Sequence, residues 1–417
     1  MSGLDDSVLK MVHSQMSIRE IEEEVLRRVD NQYVIRLSQE LIKIPSHRGC
    51  EGHERRIGEF LAEELERAGL EVSLQNVIDD RFNVIARVCG EEKGQSLMLT
   101  GHLDTVPASE KQPDPFAATI RENRIYGRGA SDMKGALAAM TAAMKAVSES
   151  KARLKGDLLL AGVIGEETTS EGTTHLVRNG PKTSFAINGE PTNMELIIAH
   201  KGAVLIQVAA KGKAAHCDTP WLGINSIEKM SKIVLAISEQ LPRELKRKTH
   251  RLIGSPTINI GSIQGGGWPY TTVPEDCKIV IITGLLPGEK KESVLPIYEK
   301  IVTELQREDP ELQADIDVVP IETIPEAYNL PFETDESAVI VRSVENSAQK
   351  VLGRKPRVTG AGYWCDASIL SYAGVQTVIF GPGEVECAHS ATEYVQIDHL
   401  LDSARIYALA ALEVCLR

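Results

Sequence analysis

Leu158-Leu159-Leu160-Ala161-Gly162-Val163-Ile164-Gly165-Glu166-Glu167 is an apolar run that stops at a glycine and two adjacent acids. A run of this length, bounded by glycine, reads as a central strand of a sheet covered on both faces. The same pattern recurs along the chain. His102 follows Ser96-Leu97-Met98-Leu99-Thr100-Gly101, Glu190 follows Phe185-Ala186-Ile187-Asn188-Gly189, and His389 comes after Val378-Ile379-Phe380-Gly381-Pro382-Gly383. Asp132 closes the glycine-rich Gly127-Arg128-Gly129-Ala130-Ser131. In open α/β sheets, ligands gather outside the carboxyl ends of the strands. Two histidines and three carboxylates gathered there form a donor set for a pair of divalent metals.

Outward from these runs, the chain alternates strand, turn and helix from 70 to 200, with the Ala/Met-rich stretch 133–147 the clearest helix. Upstream, residues 18–44 carry helical apolar spacing at Ile18, Ile21, Val25 and Val29, and 54–69 form a further helix. This alternation predicts a mostly parallel sheet with helices on both faces. Between 201 and 322 the order changes to strand 202–211, helix 224–241, strands near 256–263 and 276–284, helix 289–308 and strand 314–319. That order is the ferredoxin-like β-α-β-β-α-β unit. After 325, a helix at 335–352 and the run at 376–380 return to the first style. The expectation is an α/β catalytic domain, 1–200 and 323–417, with a small α+β lid, 201–322, inserted into it.

Composition narrows the function classes. The chain has 417 residues, beyond one typical domain of about 100–200. A net charge of −13 argues against nucleic acid or an anionic membrane as partner. The N-terminus shows no basic n-region or apolar h-region, and no run approaches a membrane span. The seven cysteines are dispersed without a CxxC pair, which predicts reduced thiols and a cytoplasmic protein. Cys217 beside His216, and Cys365 beside Asp366, do not by their adjacency make a thiol nucleophile.

Taken singly, each candidate is ambiguous. In His102-Leu103-Asp104, residues two apart in extended chain face the same side. Asp104 is therefore placed to take a proton from one ring nitrogen of His102 while the other binds metal, a relay that fixes the tautomer. Otherwise it is an ordinary surface acid. Asp132 precedes a helix and reads either as a cap or as a carboxylate bridging two cations about 3.5–4 Å apart. Glu166 and Glu167, read as neighbours on an extended segment, diverge: Glu167 can bind metal, and Glu166 can take a proton from water. The bland alternative is a pair of solvated loop acids. Of the ten histidines, 13, 47, 53, 175, 200, 250 and 399 lack such a setting and are expected at the surface or in structural contacts.

Five motifs in order carry a resemblance: Gly101-His102-Leu103-Asp104-Thr105-Val106-Pro107, Gly127-Arg128-Gly129-Ala130-Ser131-Asp132-Met133-Lys134-Gly135, Gly165-Glu166-Glu167, Gly212-Lys213-Ala214-Ala215-His216 and Ala388-His389-Ser390-Ala391-Thr392-Glu393. From about residue 35 onward the chain resembles the metallopeptidases and deacylases that include acetylornithine deacetylase, succinyl-diaminopimelate desuccinylase, aminoacylase and glutamate carboxypeptidase. The resemblance implies one metal on His102, Asp132 and Glu190, and a second on Asp132, Glu167 and His389, with zinc expected and cobalt or manganese as alternatives. Glu166 would be the general base. His216 would reach across a homodimer from the partner's lid to stabilise the oxyanion. A cis peptide is implied at Asp132–Met133.

One departure concerns the substrate. Relatives that bind a free α-carboxylate commonly carry an arginine before the lid's Pro-Gly, whereas this chain reads Ile281-Ile282-Thr283-Gly284-Leu285-Leu286-Pro287-Gly288. The usual Asn is also absent from Tyr270-Thr271-Thr272-Val273-Pro274. The expected activity is thus di-zinc removal of an acyl group from an N-acyl amino acid or related small amine. A dipeptidase or carboxypeptidase with the same centre is the nearest alternative. A catalytically silent small-molecule-binding homologue would have lost the base or a ligand, and all six positions are present. Gly127-Arg128-Gly129 lacks the third glycine of a dinucleotide fingerprint, and no GxSxG elbow occurs.

Overall fold

The computed structural model describes residues 16–267, 270–319 and 329–417. Ser17 opens α1 (Ile18–Arg28) with a reciprocal cap to Glu20, and Asp30 caps α2 (Asn31–Lys43). α3 (Arg55–Arg67) leads into β1 (Glu71–Ile78), β2 (Arg81–Val88) and β3 (Leu97–His102). The short strands β4 (Thr119–Arg121) and β5 (Arg124–Tyr126) precede α4 (Gly135–Ser148), the helix expected at 133–147. Then come β6 (Leu158–Val163), α5 (Glu171–Asn179), β7 (Phe185–Asn188) and β8 (Leu196–His200).

The next stretch is a unit of its own: β9 (Gly202–Lys211), α6 (Ser226–Leu245), β10 (Ile258–Gly265), β11 (Asp276–Leu285), α7 (Leu295–Glu308) and β12 (Gln313–Val318). The chain then returns through β13 (Phe332–Glu333), α8 (Val339–Leu352), β14 (Val358–Ala361), α9 (Ala367–Tyr372), β15 (Gln376–Ile379), β16 (Tyr394–Gln396) and α10 (Ile397–Cys415).

Among the described residues, nine strands form the main sheet, in the order β1-β2-β6-β3-β7-β15-β8-β13 with β14 also beside β8. Its centre, β6-β3-β7-β15, is parallel, while β1, β2 and β13 pair antiparallel at the edges. The alternation of the strand pleat sorts the apolar runs onto two faces. Leu97, Leu99, Leu158, Leu160 and Ile187 pack with α4, α8 and α10, while Met98, Leu159, Ala161 and Ala186 pack with Leu176 of α5 and Leu370 of α9. All six residues of β3 and of β6 are buried.

The smaller sheet is fully antiparallel, ordered β10-β11-β9-β12. Alternate residues Val204, Ile206, Val208 and Ala210 of β9 are buried with Met230, Ile233 and Ile237 of α6 and Tyr298 and Ile301 of α7. α6 continues past the expected end to Leu245, with Pro242 inside its last turn. Among the described residues no helix is long and apolar enough to cross a membrane.

Candidate metal centre

The parallel centre of the sheet delivers the donors. β3 ends on His102, which is 1% exposed, and its Nδ1 lies 2.9 Å from the Asp104 carbonyl. A carbonyl only accepts, so Nδ1 carries the proton and Nε2 faces the cleft. The expected contact with the Asp104 carboxylate is therefore corrected: that group stands 3.6 Å from Nδ1. It accepts instead the backbone N–H groups of Glu166 (3.2 Å) and Glu167 (3.0 Å). Asp104 thus holds both the histidine, through its carbonyl, and the glutamate turn, through its carboxylate.

Glu166 and Glu167 lie in that turn, not on the extended segment read from the sequence. β6 stops at Val163, and Gly165, at φ +76°, lets the Thr168, Thr169 and Ser170 N–H groups fold back onto its carbonyl. A Cβ at Gly165 would also meet the Glu171 carboxylate at 2.4 Å. Glu190 stands two residues beyond β7 and is buried. Asp132 sits in an irregular turn between β5 and α4, and the Asp132–Met133 peptide is cis. His389 comes ten residues after β15, at φ +61°, with its side chain half exposed at the mouth.

The two carboxylate oxygens of Asp132 face different histidines: Oδ1 is 3.0 Å from His102 Nε2, and Oδ2 is 3.1 Å from His389 Nε2. Glu190 Oε2 stands 3.7 Å from His102 Nε2, and Glu167 Oε2 is 3.1 Å from His389 Nε2. The Asp132 carboxylate thus joins two groups of candidate donors, His102–Asp132–Glu190 and Asp132–Glu167–His389.

The donor set fits divalent cations. Imidazole nitrogen and carboxylate oxygen are the ligands zinc takes, and ligand atoms of His102, Asp132 and Glu167 lie within 4.8 Å of one another. Glu190 Oε1 is buried without a hydrogen-bond partner, an orphan that a cation would satisfy. Electrostatics say the same. Burial, with the Glu190 charge next, pushes the Glu166 carboxyl well above the usual range. Glu190 is raised to about 7, again mainly by burial. His389 is raised to about 10 by its hydrogen bonds to Asp132 and Glu167. Burial opposes protonation of His102, but the Glu190 and Asp132 carboxylates override it and raise its pKa.

Glu393 had no role in the sequence reading, although it closes the Ala388–Glu393 motif. It is buried, and one carboxylate oxygen accepts the N–H groups of Ser131 (3.0 Å) and Asp132 (3.1 Å). The other takes the Gly129 N–H (3.1 Å) and pairs with the buried Arg128. The backbone that carries the bridging carboxylate hangs on this acid. Its one sequence signal was the motif itself.

His216 is not brought into the cluster. It lies exposed on the loop after β9, where its Nδ1 accepts the Asp218 N–H at 3.2 Å. Cys217 is exposed beside it, whereas Cys365 is buried and its thiol is pushed up by burial. None of the seven cysteines is in a disulfide.

The model of peptidase family M20/M25/M40 matches residues 98–413, a span containing every donor above. The chain belongs to this family. Acetylornithine deacetylase of Vibrio cholerae is 31% identical over 370 residues, 88% of this chain and 93% of that protein. Aminopeptidase PepT of Bacillus cereus shares the fold with TM-score 0.74 at 20% identity, covering 92% of this chain and 99% of that one. A dinuclear metal binding peptidase of the family from Bacillus subtilis does so with TM-score 0.70 at 16% identity, covering 92% and 98%. The chain is a hydrolase of a metal-dependent family.

Proposed function

We propose that this protein is a di-zinc amidohydrolase that removes an acyl group from an N-acyl amino acid or related amine, working in the cytoplasm as a homodimer. The observation that carries the reading is the Asp132 carboxylate, with one oxygen on each histidine and a further carboxylate at each site. Two cations bound there would polarise an amide carbonyl and acidify water. Glu166 lines the same cavity as Asp132, Glu167 and Glu190, and burial raises its carboxyl above the usual range, which makes it a better proton acceptor than an exposed glutamate. It takes the proton of the attacking water and returns it to the leaving amine. His216, exposed on the lid with its hydrogen bonds among the described residues inside its own loop, is placed to be offered to a partner's cleft.

The acyl-amine substrate rests on the sequence likeness to acetylornithine deacetylase, since the structural likeness to peptidases speaks for the fold alone. The test is a panel of N-acyl amino acids and dipeptides offered to chelator-stripped protein before and after zinc. Zinc-restored release of an amine from an N-acyl amino acid supports the proposal. Cleavage of dipeptides alone makes the protein a peptidase, and a chain that binds no zinc ends the reading.

A further inference from the structure

Among the described residues, a second trio of metal-ligating side chains stands outside the Asp132 centre. It is His216-Cys217-Asp218, three neighbours in sequence on the exposed loop after β9. One ligand atom of each lies within 4.8 Å of the others. The Asp132 centre offers only nitrogen and oxygen, whereas this trio adds sulfur.

A tight turn gathers the three. The His216 carbonyl accepts the Thr219 N–H at 2.9 Å, which closes a β-turn with Cys217 and Asp218 at its corners. The Cys217 N–H donates to the Thr271 carbonyl at 2.7 Å, and His216 pairs with Thr272 in an isolated antiparallel bridge. The turn is thereby tied to the segment that precedes β11. Within it, His216 Nδ1 is 4.0 Å from Cys217 Sγ and 3.6 Å from Asp218 Oδ2, and Sγ is 3.7 Å from Oδ1. Zinc holds nitrogen and oxygen at about 2.0–2.2 Å and sulfur at about 2.3 Å, so donors sharing one tetrahedral ion lie about 3.3–3.6 Å apart. Rotation of three exposed side chains closes the small difference.

The donor atoms also face inward. Nδ1 accepts the Asp218 N–H at 3.2 Å, so its lone pair points into the turn and the proton of the neutral ring sits on Nε2. The Cys217 thiol donates to the Asp218 carboxylate, and a cation would replace that proton. Thiolate with imidazole selects zinc or a similar divalent ion over magnesium and calcium, which take oxygen.

We propose that His216, Cys217 and Asp218 form a third, exposed zinc site, and that an ion there keeps His216 on its own loop. The second half rests on the role of His216 proposed above: a ring fastened through Nδ1 beside Cys217 and Asp218 does not follow a substrate into the partner's cleft. Three exposed donors hold an ion less firmly than the largely buried Asp132 centre, so this site fills last and excess zinc inhibits.

Chelator-stripped full chain is titrated with cobalt, whose bond to thiolate gives a charge-transfer band in the near ultraviolet that nitrogen and oxygen ligands do not give. The band should grow in with the third equivalent. Cys217→Ser should abolish it and weaken the third ion by at least about 10–100-fold, the cost of losing even an indirect supporting group. Cys89→Ser, which removes the other exposed thiol, should leave it in place, and Asp218→Asn should keep the band at weaker affinity. Zinc competed against a chromophoric chelator should show the same third equivalent. In the amide assay, zinc beyond two equivalents should remove most of the parent's turnover and little of that of Cys217→Ser.

A titration without the band, or a band that survives Cys217→Ser, overturns the site. A third ion bound with turnover unchanged overturns the hold on His216 alone. A chain that cleaves no amide with two zinc ions bound defeats the amidohydrolase reading instead, and the cobalt band still decides the site.

Discussion

Replacing Glu393 by glutamine tests how the bridging carboxylate is held. Glu393 and Arg128 are each 1% exposed, and the pair joins residues 265 apart in sequence. Glutamine keeps the shape but has one acceptor oxygen where the carboxylate uses two. Either the Ser131 and Asp132 amides or the Gly129 amide and the Arg128 guanidinium would then face an NH2 donor. Stranding a buried cation costs about 3–5 kcal/mol, and hydrogen bonds to a charged group are worth about 1.5–3 kcal/mol each. Glu393→Gln is thus expected to lower the stability of the metal-free chain by about 3–5 kcal/mol. Loosening the Asp132 backbone should also weaken zinc by about 10–100-fold, the usual cost of losing a group that orients a ligand.

Urea unfolding and competition with a chromophoric chelator measure the two effects separately. An Arg128→Leu/Glu393→Leu double variant sharpens the test. Removing both charges should restore much of the stability, but it leaves the Ser131 and Asp132 amides without an acceptor, so zinc should stay weak. A Glu393→Gln chain with an unchanged unfolding midpoint and zinc affinity within about threefold of the parent would refute the anchoring role.

Glu166→Gln should keep its zinc and lose about 10²–10⁴-fold in turnover, the range for a general base; near-normal activity would end that assignment. His216→Ala should be inactive with full metal content, and mixing it with Glu166→Gln should restore activity through hybrid dimers, each with one intact site. A mixture that stays silent while sedimentation shows exchanged dimers removes His216 from the partner's cleft. Zinc binding at pH 8.5 should release protons, because His389 stays protonated up to about 10 in the metal-free chain. For the same reason its stabilising contribution is full below the unfolded value of about 6.5 and is lost as pH rises through about 10. Absence of proton release at pH 8.5, read with an indicator dye, would mean that the histidines are already neutral there.

Where chemistry could lie was already written in the order of residues. Apolar runs that end in glycine and a charged residue report burial along a strand and exposure at its end, and both are local properties that the chain carries wherever it goes. That is why His102, Glu167 and Glu190 were legible from β3, β6 and β7, and why the period change at 201 marked the second sheet. Local pattern misjudged the connecting turns. Glu166 and Glu167 lie in a turn that Gly165 makes possible, and His389 sits ten residues past its strand in left-handed backbone.

Tertiary packing alone settled which oxygen of Asp132 meets which histidine, that Asp104 meets the His102 proton with its carbonyl while its carboxylate anchors the glutamate turn, and that Glu393 suspends the Asp132 backbone. It also brought Tyr363 and Trp364 into the lining of the cavity that holds the donors. These contacts join residues tens to hundreds of positions apart, and their angstrom-scale geometry is fixed by how the strands and helices pack, which the periodicity of a single segment does not encode.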